Sequence, residues 1–241
     1  METPDRIVSL APAATVTLGE LGAADRLVGV TSHCRADLDA AVLGGWLDPN
    51  LDRLTDLDPD LVCTSDALQA DVRDALRERG VRVHHVDAVT LPEVLDGFAE
   101  LGAAVGRPAA GDRLAARSRE RLKRVRERAT DDRPTVYCEE WADPPMAAGN
   151  WVPDVVEAAG GHYPFVDAGE RSRAVSQAAV EAADPDHVVF HLCGRGTDVD
   201  SGQLAERGWD IDASVHVVDD ALLNQPSPNL LDGAERLADL F

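Results

Sequence analysis

The sequence has few aromatic residues, almost no lysine and no long uncharged apolar run. Lys123 is the only lysine among 23 basic residues, and aromatic residues make up 4% of the chain. The 44 acidic residues give a formal net charge of −21, which repels phosphate backbones and anionic lipid headgroups. We therefore exclude nucleic acid as a partner. We also expect no membrane insertion, because no segment reaches the roughly 20 apolar residues of a membrane-spanning helix.

The acidic residues are spread along the chain and do not form a tail. Dispersed carboxylates keep a protein surface hydrated at high salt, where screening weakens their mutual repulsion. This pattern is typical of an acidic, halophilic protein. Because 44% of the residues are hydrophobic and lie in periodic segments, the chain is predicted to be globular.

The first six residues have neither the basic start nor the apolar stretch of a secretory signal. The chain as written is therefore predicted to be cytoplasmic. A cell-surface, extracytoplasmic location is the alternative if a signal has been trimmed from the natural protein.

The four cysteines are widely separated and form no CxxC pair. This spacing excludes a zinc ribbon and a thioredoxin-type redox motif. Cys63 and Cys138 lie inside apolar strand patterns, where a thiol is buried and inert by default. The other two, Cys34 and Cys193, each lie near a histidine and are candidates for chemistry.

Short β-branched apolar runs alternate with helical patterns along the chain. Strands are predicted over residues 7–10, 27–31, 61–65, 81–87, 135–139, 187–192 and 215–218. Helices are predicted over 15–21, 50–57, 68–79, 92–105, 152–159, 176–183, 202–207 and 230–240. Repeated alternation of strand and helix predicts an α/β fold with a parallel sheet in each half.

The segment 109–129 contains no proline and places Arg and Glu at helical spacing. At 1.5 Å per residue such a helix is roughly 30 Å long, so we predict a rigid strut between two lobes. The predicted organisation is an N-terminal α/β lobe over 1–107, a connecting helix over 108–132 and a C-terminal α/β lobe over 133–241. The alternative is one large sheet on which this helix packs.

The most unusual segment, Glu139–Pro153, follows a predicted strand and combines adjacent carboxylates, rigid prolines and two of the four tryptophans. Pro144-Pro145 favours extended or turn geometry, and Gly149 permits a tight reversal. We therefore predict an ordered loop from which Trp141 and Trp151 project, at the lip of a binding site. The alternative is that both indoles fill the end of a hydrophobic core.

Other loops that follow predicted strands also carry polar or aromatic residues. Ligands of α/β sheets bind at the carboxyl ends of parallel strands, so these loops are predicted to line a cleft between the two lobes. His33 and Cys34 form a candidate metal-ligand pair, and the alternative is a structural histidine beside a buried thiol. Cys193 near His191 is a candidate nucleophile, and the alternative is that both line a pocket.

Four segments match known patterns, namely 6–15 (RIVSLAPAAT), 57–62 (LDPDLV), 183–189 (ADPDHVV) and 226–233 (PSPNLLDG). They resemble the cobalamin and iron-chelate substrate-binding proteins of ABC importers, whose two lobes are joined by a long helix. The second and third segments are similar to that family's recurrent KPDLV element, with Asp58 in place of the lysine. Residues 140–145 and 151–153 look like the subset that lacks a signal peptide and is labelled cobalamin-binding.

The resemblance implies a non-enzymatic binding protein for cobalamin or a related corrinoid, held in the cleft between the lobes, with no cofactor required. Tryptophans would supply broad apolar surfaces for the macrocycle, and polar side chains would bond its amide groups. The predicted ligand-binding residues are Trp46, Glu140, Trp141, Pro145, Asn150, Trp151, Cys193 and Asn224.

The resemblance also implies an ABC permease as a partner for a monomeric protein. In importers of this group, an acidic residue on each lobe meets arginines of the permease. Asp52 lies where the first acidic residue is expected, whereas Ala178 lies near the position of the second. The departure at Ala178 argues against docking.

Two further classes of function stay open. The first is an iron-chelate or haem-binding protein, or a module that binds a metal ion directly through His33, Cys34 and Cys193. The second is a small-molecule enzyme with Cys193 as its nucleophile.

Overall fold

The computed structural model describes residues 3–34, 38–130 and 132–241. The chain forms two units, one comprising Met1–Ala88 and Leu95–Arg117 and the other Val89–Val94 and Ser118–Phe241. Each unit contains one five-stranded sheet flanked by helices. The prediction of two α/β lobes is confirmed, and the alternative of a single large sheet is wrong.

The first sheet is parallel throughout, as predicted. Its strands lie in the order β3-β2-β1-β4-β5. The elements in chain order are β1 (Ile7–Ser9), α1 (Pro12–Glu20), β2 (Leu27–Val30), β3 (Ala41–Val42), α2 (Leu51–Asp56), β4 (Leu61–Ser65), α3 (Ala70–Glu78), β5 (Val83–Val86) and α4 (Leu91–Ala104).

The core of the first unit explains why these strands could be recognised. Its buried cluster consists of Val8, Leu10, Leu43, Leu54, Val62 and Leu76. A strand that is buried on both faces appears in the sequence as a continuous apolar run. Cys63, at the centre of β4, is buried as predicted, and burial raises the pKa of its thiol to about 12.

The helix α5 (Pro108–Arg128) runs without interruption for 21 residues. Its apolar side chains Leu114, Leu122 and Val125 are buried. On the second unit, Arg121 Nε donates to Glu235 Oε1 at 2.9 Å, which holds the helix to the C-terminal part of the chain. The helix predicted from the spacing of Arg and Glu in the sequence is therefore present.

The second sheet is mixed, with strand order β10-β9-β6-β7-β8. Strands β10, β9 and β6 are parallel, whereas β7 and β8 are antiparallel to their neighbours. The predicted parallel sheet is therefore present as β10, β9 and β6, and the antiparallel strands β7 and β8 were not predicted. The elements are β6 (Val136–Ala142), β7 (Pro145–Ala147), α6 (Val152–Ala158), β8 (Arg173–Ala174), α7 (Gln177–Ala183), β9 (His187–Phe190), α8 (Gln203–Glu206), β10 (Ser214–Val217) and α9 (Asn229–Ala238). Within residues 3–34, 38–130 and 132–241, no helix combines the length and apolar character needed to span a bilayer.

The segment Glu139–Pro153, predicted as a loop, is a hairpin followed by a helix. Strand β6 continues to Ala142, which pairs with Pro145 at the start of β7. Proline is tolerated at the first position of a strand, because the amide hydrogen that it lacks is not needed there. The two prolines therefore mark a strand turn, where we had predicted an irregular loop.

Gly149 is required by a close backbone approach and not by a reversal of the chain. A Cβ atom at this position would lie 2.4 Å from the carbonyl oxygen of Glu170 and 2.5 Å from the amide nitrogen of Ser172. The left-handed conformation belongs to the next residue, Asn150, whose φ is 54°. The tight packing of residues 149–150 against 170–172 therefore fixes the end of the hairpin.

His191, directly after β9, is fully buried. Its amide donates to the carbonyl of Glu139 at 3.0 Å, and its own carbonyl accepts from Asn224 Nδ2 at 2.9 Å. The ring nitrogen Nδ1 is hydrogen-bonded to Asn224 Oδ1. Burial lowers the pKa of this imidazole from 6.5 to about 4. The folded protein therefore holds His191 in its neutral form.

We predict that Gly149→Ala lowers the free energy of unfolding by about 1–3 kcal/mol, because backbone atoms on the facing segment have to move. Urea unfolding measures the loss. The control is Gly19→Ala, which adds a methyl group to an exposed position in α1 with no atom within 4 Å. Replacing a helical glycine with alanine should raise stability by about 0.5–1 kcal/mol. Equal effects of the two substitutions would contradict this account of Gly149.

We also predict that the free energy of unfolding falls in acid, because the buried His191 is neutral in the folded protein. The unfolded chain protonates this histidine below pH 6.5, whereas the folded chain stays neutral to pH about 4. The stabilisation is therefore complete above pH 6.5 and is lost as the pH falls toward 4, by about 3 kcal/mol. Urea unfolding of the wild type and of His191→Gln at pH 7.5, 5.5 and 4.5 measures it. The stability difference should shrink on acidification, and a constant difference would show that His191 does not titrate on unfolding.

Candidate functional site

Trp46 lies in the loop after β3 in the first unit. A bridge between Gly44 and Pro49 closes this loop, and the tryptophan is half-buried. Its carbonyl accepts a hydrogen bond from Gln69 Nε2 at 2.7 Å. The next residue, Leu47, is exposed. Trp46 therefore lies in an ordered loop and keeps part of its surface accessible.

His33 and Cys34 lie in the loop after β2. His33 is exposed, and Cys34 Sγ lies 3.1 Å from Thr15 Oγ1 and 3.4 Å from Thr31 Oγ1. In the three described ranges, no group of three or more His, Cys, Asp or Glu side chains could hold a metal ion. Among the described residues, the Cys34 thiol contacts two threonine hydroxyls.

Asp52 lies in the first turn of α2, and its side chain is 89% exposed. Its Oδ1 accepts a hydrogen bond from Arg79 Nη1 at 2.9 Å. An ion pair this exposed contributes little to stability, so a partner can compete for the carboxylate. Ala178, on α7 of the second unit, is also exposed.

In the second unit, the hairpin β6–β7 carries Glu140, Trp141 and Pro145. Glu140 is half-buried, and its carbonyl accepts from the amide of Cys193 at 2.9 Å. Trp141 is 50% exposed, and its Nε1 donates to the carbonyl of Asp143 at 2.9 Å. Pro145 is half-buried where β7 begins. The hairpin thus presents an indole ring whose only polar atom is already hydrogen-bonded.

A buried ion pair lies directly behind this hairpin. Glu139 is 0% exposed, and its two carboxylate oxygens accept from Arg207 Nη1 and Nη2, each at 2.7 Å. The Tyr137 hydroxyl also donates to this carboxylate at 2.9 Å, and burial raises the pKa of that hydroxyl. The guanidinium lies 5.1 Å from the Trp209 ring centroid and 5.7 Å from that of Phe190. No sequence signal linked Glu139 to Arg207, 68 residues away.

Asn150 and Trp151 join the hairpin to α6. Trp151 is only 5% exposed, and its Nε1 donates to the carbonyl of Leu223 at 2.7 Å. The indole lies in the hydrophobic core, so the expectation that its ring projects from a loop is wrong, and the core alternative holds for this tryptophan. Asn150 is half-buried, and its Oδ1 is buried without a hydrogen-bond partner among the described residues.

Cys193 and His191 do not share a face. Strand β9 ends at Phe190, so the alternation that was expected to place 191 and 193 together does not continue. His191 is buried, whereas Cys193 is exposed. The exposed thiol lies at the carboxyl end of β9, next to the Glu140 carbonyl that its amide contacts.

The turn Cys193–Gly196 is held by a carboxylate from the next loop. Asp220 is buried and accepts from the amides of Gly194 and Gly196 at 2.9 and 2.8 Å. Both glycines have a positive φ, of 74° and 56°. Asn224, four residues after Asp220, is half-buried and engaged with His191. Asn224 therefore holds the His191 ring and backbone by hydrogen bonds.

The chemistry of these groups suits binding. In the first unit the Trp46 loop provides a half-buried tryptophan, and in the second unit the loops after β6 and β9 provide a half-exposed indole, an exposed thiol and several amide and carboxylate groups. Indole faces pack on flat apolar molecules, and the polar groups accept or donate hydrogen bonds at their edges.

Solved structures of binding proteins share this fold. The periplasmic vitamin B12 binding protein BtuF of Vibrio cholerae has a TM-score of 0.78, with 98% of this chain and 96% of that chain covered at 22% identity. IsdE of S. aureus, solved with haem, has a TM-score of 0.83, with 98% of each chain covered at 18% identity. At these identities the likeness shows the fold, which confirms the predicted two-lobed, helical-backbone type.

Sequence relatives cover nearly the whole chain. A cobalamin-binding protein of Halobacterium salinarum is 27% identical over 256 residues, which span 99% of this chain and 69% of the relative. A vitamin B12-binding protein of Vibrio cholerae is 27% identical over 249 residues, or 97% of this chain and 87% of the relative. An ABC transporter substrate-binding lipoprotein of Bacillus subtilis is also 27% identical, over 98% of this chain and 79% of its own length.

The model of one protein family matches residues 7–213, which is most of the chain. Its members and the relatives above are binding proteins, and this confirms the prediction of a binding protein in place of an enzyme. The two-lobed fold, the relatives that match nearly the whole chain and this family model lead to one conclusion: the chain belongs to the periplasmic binding protein family.

Proposed function

We propose that this protein binds cobalamin or a related corrinoid as the substrate-binding component of an ABC importer. The observation that carries the proposal is the likeness, over 99% and 97% of the chain, to proteins named for binding cobalamin and vitamin B12. In those names the corrinoid is the bound ligand and not a catalytic cofactor. In this protein, too, the corrinoid is the bound ligand, and no cofactor is required.

Trp141 is the main apolar contact in the second unit under this proposal. Half of the residue is exposed, and its Nε1 is already hydrogen-bonded to Asp143. The ring can therefore pack on a macrocycle without leaving a buried donor unpaired. Aromatic side chains contribute large contact areas, which makes this indole the largest expected apolar contribution from the hairpin.

The polar edge of the ligand would be met by neighbouring side chains. The amide groups around a corrin ring donate hydrogen bonds, and Glu140 and Asn150 offer carbonyl or carboxylate acceptors. Asn150 Oδ1 is buried without a partner among the described residues, so it is an acceptor with unused hydrogen-bonding capacity. Asn224, Pro145 and Cys193 complete the proposed contacts in this unit, and Trp46 provides the indole of the first unit.

Trp151 has a supporting role in this proposal. Its ring is buried, and its hydrogen bond to Leu223 connects the end of the hairpin with the loop that carries Asn224. It therefore holds two ligand contacts in place and does not itself touch the ligand.

Haem or an iron chelate is the second candidate ligand. The observation that favours it is the fold likeness to IsdE, solved with haem, and to a periplasmic haem-binding protein of Pseudomonas aeruginosa, with TM-scores of 0.83 and 0.80. Haem is also a flat macrocycle with polar edges, so the same indoles suit it. Direct binding of a bare metal ion by His33 and Cys34 would need further ligands, because structural zinc takes four.

The relatives' names favour a location outside the cytoplasmic membrane, since one is a lipoprotein and the V. cholerae structure is of a periplasmic protein. We propose that this protein acts there as a monomer, delivering its ligand to a permease. The cytoplasmic location expected from the first residues is the alternative. Fractionation of native cells and light scattering of the purified protein test location and oligomeric state.

We predict that the purified protein binds cyanocobalamin with a Kd below about 10 μM, which corresponds to roughly −7 kcal/mol. Quenching of tryptophan fluorescence follows the titration. Trp141→Ala should weaken binding about tenfold or more, because it removes the largest apolar contact of the hairpin. The control is Asp143→Ala on the same hairpin, which keeps the backbone carbonyl that Trp141 contacts.

Parallel titrations with haem and a ferric siderophore separate the candidates. Haem binding more than tenfold tighter than cyanocobalamin would favour the second candidate. If none of the three binds below about 10 μM, the proposed function is wrong. Elemental analysis of protein purified without chelator tests direct metal binding, which requires stoichiometric metal.

We predict that Asp52 contributes to permease docking and not to ligand binding. Asp52→Asn should leave the cyanocobalamin Kd unchanged and should reduce the stimulation of ATP hydrolysis by the partner permease and ATPase, reconstituted in liposomes. Asp56→Asn, an exposed position on the same helix, is the matched control. Equal stimulation by the wild type and Asp52→Asn would remove Asp52 from the docking surface.

A further inference from the structure

Gln69 is a buried amide that ties three segments of the first unit together. It is 0% exposed and ends the 3-10 turn Ala67–Gln69, which follows β4. Its Nε2 donates to the carbonyls of Leu10 at 3.0 Å and of Trp46 at 2.7 Å, and its Oε1 accepts from the amide of Ser65 at 2.8 Å. The side chain therefore uses both of its donors and its acceptor to fix the position of the Trp46 loop.

The residue before Gln69 points the other way. Leu68 is 64% exposed, more than any other large apolar side chain in the described ranges. Its amide donates to Asp66 Oδ1 at 2.8 Å, and Asp66 has a φ of 68°, which is uncommon for a residue other than glycine. Strained residues of this kind persist where the surrounding structure holds them and are frequent at ligand sites. The turn therefore holds an apolar side chain outward in a defined position.

A single exposed leucine would be ordinary. Here the exposed side chains of Leu47 and Leu68 both adjoin the same hydrogen bond, because Leu47 follows Trp46 and Leu68 precedes Gln69. The bond between Gln69 and Trp46 thus links two loops that each present apolar surface. Of Trp46, Leu47, Leu68 and Gln69, only Trp46 was predicted from the sequence as a ligand contact.

We propose that Gln69 is a positioning residue that presents Trp46, Leu47 and Leu68 as one apolar contact face for the ligand. This inference rests on the proposed function, and its occupant is the corrin macrocycle, whose rim carries methyl groups that match leucine side chains. The contact desolvates apolar surface on both sides, which is favourable in proportion to the area removed from water. Gln69 itself does not touch the ligand.

Substitution of the exposed leucines tests the contact face without threatening the core. Leu68→Ser and Leu47→Ser should each raise the cyanocobalamin Kd about three- to tenfold, since each loses part of a buried apolar contact. Val42→Ser is the control, because Val42 is 50% exposed on the edge strand β3 and has no link to Gln69. An equal loss in Val42→Ser would overturn the assignment of a defined face.

A double-mutant cycle tests the positioning role. Gln69→Glu keeps an acceptor for the Ser65 amide but places an oxygen opposite the carbonyls of Leu10 and Trp46, which releases the Trp46 loop. We expect about a tenfold loss of affinity in the wild-type background and little further loss in Trp46→Ala, because coupled residues are non-additive. A merely structural role would give the same loss in both backgrounds and would overturn the proposal.

The outcomes separate this inference from the proposed function. If the wild type does not bind cyanocobalamin, the proposed function itself fails. If the wild type binds and Leu68→Ser, Leu47→Ser and Gln69→Glu bind equally well, only the contact face is wrong. Far-UV circular dichroism checks that Gln69→Glu is folded, and if it is not, the two leucine variants decide.

Discussion

The buried ion pair between Glu139 and Arg207 is the interaction on which the candidate site of the second unit depends. Glu139 lies on β6, where its carbonyl binds the amide of His191 and its carboxylate binds both terminal nitrogens of Arg207. Removing one charge would leave the other buried and unpaired, which typically costs about 3–5 kcal/mol. The pair therefore keeps β6 in place, and the next two residues of β6, Glu140 and Trp141, are half-buried and exposed, respectively. In the first unit Gln69 holds the structure together with neutral groups. Its side-chain amide binds the Trp46 loop to the ends of β1 and β4.

The fold could be predicted where burial leaves a local trace in the sequence. Strand β4 (Leu61–Ser65) coincides with its prediction because a strand covered on both faces is a continuous apolar run. The strands β3, β7 and β8 were missed, because each has only two or three residues and is partly exposed. Their identity depends on pairing with distant residues, as Ala147 does with Arg173. The antiparallel half of the second sheet could therefore not be predicted from the hydrophobic periodicity of the sequence.

In the candidate site, too, local features were predicted from the sequence and long-range contacts were not. Composition and turn residues predicted Trp46 and Trp141 as ligand contacts, and the structure places the first half-buried and the second half-exposed. The same signals misplaced Trp151, because α6 begins beside it and carries its ring into the core. The contacts that hold the site in shape join residues far apart in sequence, namely Gln69 with Trp46, Arg207 with Glu139 and Asn224 with His191. No local pattern specifies such pairs, because only the fold brings their members together.

We propose that loops at the carboxyl ends of the strands contact a bound corrinoid. Amide hydrogen exchange, measured with and without saturating cyanocobalamin, tests this contact, because a ligand that contacts these loops slows their opening. We expect slower exchange at residues 46–47, 67–69, 139–147 and 193–196, and unchanged exchange in α7. Unchanged exchange in all four segments while cyanocobalamin is bound would show that the ligand lies elsewhere.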